Sequence, residues 1–220
     1  MIVEKDGFTY EMRGTGWCVI KCGKLLNGVL NIPKSINGML VTSIAEDVFS
    51  GITNLKKVEI PDCLEIIGYN AFKECMNLES VIFYKTDYTA KCIEINGHAF
   101  ANCWSLKYFS SSAPLFLYAG VFYKCKKLAR LNATVLHCSE NTFARCEALE
   151  TLAFEEDARW QYMPFVGCKN LKTVVFNGNI SRSTIRNKQL MDALRGITIV
   201  VKSDFPQMEL AYDGFAIKVV

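Results

Sequence analysis

What the chain lacks narrows its function first. It has two histidines in 220 residues, and 25 basic side chains nearly balance 22 acidic ones, for a net charge of +3. Proteins that grip nucleic acid through its phosphates carry a clear basic excess, so that class is not expected. No run of 18 or more apolar residues occurs, and no membrane-spanning segment is expected. The start, Met1-Ile2-Val3-Glu4-Lys5-Asp6-Gly7, has none of the parts of a secretory signal. As it stands, the chain reads as cytoplasmic. There is no G-x-S-x-G, H-E-x-x-H, P-loop or dinucleotide fingerprint. Without such a frame to place a nucleophile, a metal or a phosphate, no enzyme activity and no cofactor are expected. At 50% hydrophobic and 21% charged residues, the chain has the composition of a folded protein.

Cysteine, in contrast, is plentiful, with ten residues. They are too dilute for a small disulfide scaffold. The closest pair, Cys18 and Cys22, is spaced more widely than the usual C-x-x-C of a zinc site. The cysteines make sense through an internal repeat. Phe49, Phe72, Phe100, Phe122, Phe143 and Phe165 recur at intervals of 23, 28, 22, 21 and 22. Three residues later stand Ile52, Cys75, Cys103, Cys125, Cys146 and Cys168. Six residues later, every unit has leucine: Leu55, Leu78, Leu106, Leu128, Leu149 and Leu171. Further columns lie nine residues on (Val58, Val81, Phe109, Leu131, Leu152, Val174) and five residues before (Ile44, Ile67, Ile95, Leu117, Cys138, Trp160).

A unit of about 22 residues cannot bury its own apolar face, so like must stack on like. In Leu55-Lys56-Lys57-Val58-Glu59-Ile60 the alternation is that of a strand, with Val58 and Ile60 inward and Lys57 and Glu59 outward. Pro61 ends that strand. Gly68-Tyr69-Asn70-Ala71, before the phenylalanine, reads as a turn or short helical bend. Five cysteines in one column read as small buried hydrophobes that stay reduced.

Ile67-Gly68-Tyr69-Asn70-Ala71-Phe72-Lys73-Glu74-Cys75-Met76-Asn77-Leu78-Glu79-Ser80-Val81 resembles the BspA-like leucine-rich repeat, whose unit runs I-G-x-x-A-F-x-x-C-x-x-L-x-x-V-x-I-P. The lead-in Asn31-Ile32-Pro33-Lys34-Ser35-Ile36-Asn37-Gly38 also fits. The resemblance implies a right-handed leucine-rich-repeat solenoid, an α/β-type coil rich in strands with short turns or 3-10 segments. Later units drift, with Ser111 and Ala133 in place of an apolar strand residue. The resemblance also implies adhesion or binding of host or matrix proteins, with a secreted or cell-surface location as the alternative to a cytoplasmic one.

The expected organisation is one continuous domain. Residues 1–28 form a hairpin-like cap, with Phe8-Thr9-Tyr10-Glu11-Met12 and Trp17-Cys18-Val19-Ile20-Lys21 flanking a Gly-rich turn. Residues 29–177 hold a lead-in strand and six repeats. Residues 178–220 form a mixed α/β cap. It holds a helix over Asn187 to Arg195, a seventh strand in the frame of Leu194, Ile197 and Ile199, a short helix over Asp204 to Tyr212 and a final strand from Phe215 to Val220. Two features break the pattern. Tyr84 to Cys92 is an insertion, expected as a loop. Glu155-Glu156-Asp157 is expected as a solvated turn.

Function then falls to the outward strand positions. Ile82, Tyr84 and Tyr108 form an apolar and aromatic group with Arg130 beside it, and Lys57 and Glu59 adjoin. Tyrosine and arginine are favoured at binding hot spots. These six residues are the expected contact site for a protein partner on a monomeric, non-catalytic scaffold. The alternatives are a cysteine-dependent enzyme, for which His98 and His137 are the available bases, and a carbohydrate-binding module.

Overall fold

A computed structural model of the chain describes residues 1–23, 27–160, 164–177, 188–201 and 216–219. Its strands build two parallel ladders, each gaining a rung with every turn of the chain. The first ladder comprises β4 (Val29–Asn31), β7 (Lys57–Pro61), β9 (Ser80–Tyr84), β11 (Tyr108–Ser110), β13 (Arg130–Asn132), β15 (Thr151–Trp160), β16 (Thr173–Phe176), β17 (Thr198–Val201) and β18 (Ala216–Val219). The second comprises β3 (Gly16–Cys22), β6 (Met39–Ile44), β8 (Ile66–Ile67), β10 (Ile93–Ile95), β12 (Leu115–Leu117), β14 (Val135–Cys138) and the far end of β15. Of the column five residues before each phenylalanine, Ile44, Ile67, Ile95, Leu117 and Cys138 form the inward row of this second ladder. The chain is thus a strand-rich solenoid, as the repeat predicts. Among the described residues its one helix is α1 (Lys188–Ala193). The expected helix over Asp204 to Tyr212 lies outside the described residues.

The core is the set of columns seen in the sequence. Phe49, Phe72, Phe100, Phe122 and Phe143 are fully buried, as are Leu55, Leu78, Leu106, Leu128 and Leu149. Successive phenylalanine rings stack, with centroids 4.9 Å apart for Phe49–Phe72 and 5.0 Å for Phe72–Phe100. Each buried ring contributes about 2–3 kcal/mol. Strand length follows the side chain at the drifting position. β7 and β9, with Ile60 and Phe83 there, run five residues. β11 and β13, which reach Ser111 and Ala133, stop after three. Ser111 instead turns its hydroxyl to the Ala113 carbonyl at 2.8 Å.

The corners, open in the sequence between turns and short 3-10 segments, are turns. Residues flanking the phenylalanines have positive φ. Asp47, Asn70, His98, Gly120 and Asn141 stand two before it, and Gly51, Glu74, Asn102, Lys124, Arg145 and Gly167 two after. A left-handed residue cannot continue a right-handed helix, so each corner closes within one turn. From Phe49 to Phe143 the phenylalanine N–H of each coil then donates to the next coil, as from Phe72 to Ala99 O at 2.7 Å and from Phe100 to Val121 O at 2.9 Å.

The N-terminal end is a three-strand antiparallel meander of β1 (Ile2–Lys5), β2 (Phe8–Arg13) and β3. It covers the first coil: Phe8 meets Phe49 edge-on, and the Trp17 indole N–H donates to Ile36 O in the short strand β5 (Ser35–Ile36) at 3.0 Å. Glu155-Glu156-Asp157 is not a turn. It lies inside β15, whose ten residues pass from one ladder to the other. Earlier coils turn that corner at Pro61-Asp62 or Ser111 to Pro114, whereas Phe154 to Trp160 contains no proline or glycine to break the strand.

Candidate functional site

The outward face of the first ladder is a grid set by strand register. One row runs Lys57, Ser80, Tyr108, Arg130, Thr151, Thr173 and Thr198. The next row, two residues along, runs Glu59, Ile82, Ser110 and Asn132. Neighbouring strands stand about 4.8 Å apart. Tyr108 and Arg130 are therefore direct neighbours, and both are exposed. Ile82 lies in the second row, half-buried between Glu59 and Ser110.

Tyr84 does not join Tyr108. It stands four residues beyond Ser80 on β9, about 13 Å along the strand, and pairs with Pro61. Its hydroxyl donates to Ile32 O at 2.9 Å, which ties β9 back to the lead-in strand. Lys57 and Glu59 form an ion pair with each other at 2.6 Å. The six side chains marked in the sequence thus split into an exposed pair, Tyr108 and Arg130, and four that are half-buried or paired.

A depression of about 420 Å³ opens beside the exposed pair. Arg130, Tyr108, Lys107, Asn132, Thr151 and Ala153 line it, with Ala129 and Leu131. The Asn132 amide donates to Ser110 Oγ at 3.2 Å and to the Tyr108 hydroxyl oxygen at 3.5 Å. Ser110 first, and then Asn132, draw the Tyr108 hydroxyl below its usual range by hydrogen bonding. Lys107 pairs with Glu79 at 3.0 Å. Asn132, Thr151 and Ala153 are ordinary strand residues in the sequence, and only register brings them to one place. A depression of about 550 Å³ lies on the second ladder beside the β2–β3 turn, with Arg13, Glu46, Glu65, Tyr69 and Asn96 along its walls.

The insertion at Tyr84 to Cys92 is anchored by a side chain that the sequence did not mark. Asp62 is 1% exposed, and its carboxylate accepts three hydrogen bonds. The Thr86 N–H and hydroxyl bond one oxygen at 2.8 and 2.7 Å, and the Thr89 hydroxyl bonds the other at 2.9 Å. Ala90 N–H donates to the Asp62 carbonyl at 2.8 Å, and Lys34 forms an ion pair with Asp87. A buried carboxylate needs such donors, and among the described residues it finds them in the insertion.

The cysteines are free thiols. Burial pushes Cys75, Cys138 and Cys168 up to about 12, and raises Cys103, Cys125 and Cys146 well above the ordinary thiol range. A nucleophilic cysteine needs the opposite shift. His137 and Cys138 face opposite sides of β14: Cys138 is in the core, while His137 stacks on Phe116 with centroids 4.2 Å apart. His98 occupies a left-handed corner, a position that asparagine, aspartate or glycine fills in other coils. Among the described residues no three His, Cys, Asp or Glu side chains group as a metal site, and no helix is long and apolar enough to cross a membrane.

A family model described as BspA type Leucine rich repeat region matches residues 29–133 and 93–192, in six copies. A leucine rich cell surface protein from Faecalibacterium prausnitzii has a similar structure, with TM-score 0.60 and 21% identity over 83% of this chain and 55% of its own. This chain therefore spans just over half of that protein's length. The Leucine Rich Repeat protein of T. pallidum gives TM-score 0.56 and 18% identity over 99% of this chain and 97% of its own. No curated protein matches. The solved structures share the coil, and the family model covers the phenylalanine, cysteine and leucine columns that build it, so the chain belongs to the BspA type leucine rich repeat family.

Proposed function

We propose that this chain is a non-catalytic scaffold that holds a protein partner on the outward face of its first ladder, centred on Tyr108 and Arg130. A repeat scaffold of this family is suited to protein interaction. The observation that carries the placement is the depression beside Tyr108 and Arg130, on a face whose neighbours are held by parallel strand pairing. An aromatic ring and a guanidinium beside a concavity are the usual anchors of an interface. An adhesion-type role at a cell surface is the form of this proposal that the family favours. The raised thiols weigh against the cysteine-dependent enzyme.

Paired baits test the reading. One bait is the native chain and the other carries Tyr108→Asp, with matching circular dichroism. Extracts of the source cell and of any host or matrix it meets are passed over both. The expected result is a protein retained by the native bait alone. A photo-crosslinking residue at position 151 should trap that same protein. Equal retention by both baits would move the site elsewhere, and no retained protein would remove the interaction role.

A further inference from the structure

Charge at the Tyr108 depression is unbalanced in a particular way. Of Lys57, Lys107 and Arg130, the first two have carboxylate partners, Glu59 and Glu79. Arg130 has none among the described residues. None of the residues lining the depression is acidic. The guanidinium is always charged and offers five N–H donors. The Thr151 hydroxyl stands beside it in register. Tyr108 stands on its other side in register, with its hydroxyl toward Asn132 and Ser110. An unpaired guanidinium and a neighbouring hydroxyl residue thus line a depression whose wall also includes Ala129 and Ala153.

We infer that this depression takes the carboxylate of an acidic side chain from an extended segment of the partner protein, with Arg130 as its counter-ion. The inference rests on the scaffold reading above and gives the partner its chemistry. The carboxylate meets the guanidinium and Thr151, and the aliphatic stem of the acidic residue lies over Ala153. The arrangement suits one carboxylate and not a polyanion. A nucleic acid or sulfated glycan needs a track of cations, whereas Arg130 stands between neutral Tyr108 and Thr151, with neutral Thr173 and Thr198 beyond.

The test uses fluorescence anisotropy with an end-labelled ten-residue peptide of alternating glutamate and serine, and a second peptide with lysine for glutamate. The protein is the native chain, Arg130→Ala, and Lys5→Ala as an equal loss of charge in the N-terminal cap. Circular dichroism checks each fold. The glutamate peptide should bind the native chain and Lys5→Ala alike, and Arg130→Ala about tenfold or more weakly. The lysine peptide should not bind. Equal affinity of Arg130→Ala and Lys5→Ala, equal binding of the two peptides, or no binding at all would overturn the inference. So would tight binding of dextran sulfate through Arg130 with the glutamate peptide silent, which would assign the depression to a sulfated glycan. The two readings fail separately. A bait that loses its protein through Tyr108→Asp but keeps it through Arg130→Ala would leave the scaffold standing and remove only the acidic contact.

Discussion

The Cys103 thiol donates to the backbone carbonyl oxygen of Phe72, one coil back, at 3.1 Å. The same oxygen accepts the N–H of Cys75 in its own coil at 3.3 Å, so both lone pairs are used. The relation repeats from Cys75 to Phe49, Cys125 to Phe100, Cys146 to Phe122 and Cys168 to Phe143, at 3.0 to 3.1 Å. Cysteine suits this column because it fills an apolar corner like a small hydrophobe and still carries a donor.

Replacing Cys103 with alanine removes that donor and leaves a void, at a cost of about 1–3 kcal/mol. Serine restores a donor on a shorter bond but buries a more polar group, and it should also destabilise. Urea unfolding of Cys103→Ala and Cys103→Ser measures both. A midpoint unchanged in the alanine variant would show that the thiol contributes packing and hydrogen bonding of no net value.

Stability should fall at alkaline pH. The thiols of Cys75, Cys138 and Cys168 are pushed up to about 12, and those of Cys103, Cys125 and Cys146 well above 9. Unfolded thiols ionise near 8.5. Above that pH the unfolded chain gives up protons that the folded chain keeps, so each raised group lends stability that is whole below about 8.5 and drains away as pH rises toward 12. Tyr10, also held up to about 12 by burial, acts with the same sign at higher pH. Urea midpoints at pH 7.5, 9 and 10.5 should fall in that order; a flat series would contradict the burial of the ladder.

Asp62→Ala should free the insertion. It deletes three hydrogen bonds to a buried carboxylate, worth roughly 3 kcal/mol together after solvent competition. Trypsin should then cut at Lys85 or Lys91 much faster than in the native chain. Asp62→Asn, which keeps an acceptor toward Thr86, should lie between the two. If all three proteins are cut at one rate, the anchor does not hold the loop.

The corners make a graded prediction at Glu74, whose φ is 62° on an exposed turn. A side chain there costs about 1 kcal/mol that glycine avoids. Glu74→Gly should raise the melting temperature by about 2–4 °C, and Glu74→Val, branched at Cβ, should lower it. A glycine variant that melts below the native chain would remove the left-handed corner from the account.

Much of the coil was legible in the residues. Leucine six places after every phenylalanine and cysteine three places after most of them mark inward positions, because identical coils stack identical corners. The left-handed corners left a fainter mark, Asp47, Asn70, Gly120 and Asn141, residue types that tolerate positive φ. His98 hid that column, since a lone histidine draws attention as chemistry before it suggests a turn. Glu155 to Asp157 misled for a related reason. Three acids look like a loop, but β15 is paired before them, at Thr151 to Phe154, and after them, at Arg159 and Trp160, and the backbone stays extended between.

The candidate site was legible only in part. Tyr84 and Tyr108 carry the same strand pattern and look equivalent in the sequence. Their difference lies in a hydrogen bond from Tyr84 to Ile32, 52 residues away. The partner of Asp62 likewise sits in an insertion that no repeat pattern describes. The sequence by itself determined the period, the inward columns and the family, because those depend on spacings within one coil, repeated. Tertiary structure decided which outward side chains are free. That depends on register between coils and on contacts between distant residues, and neither leaves a local pattern to read.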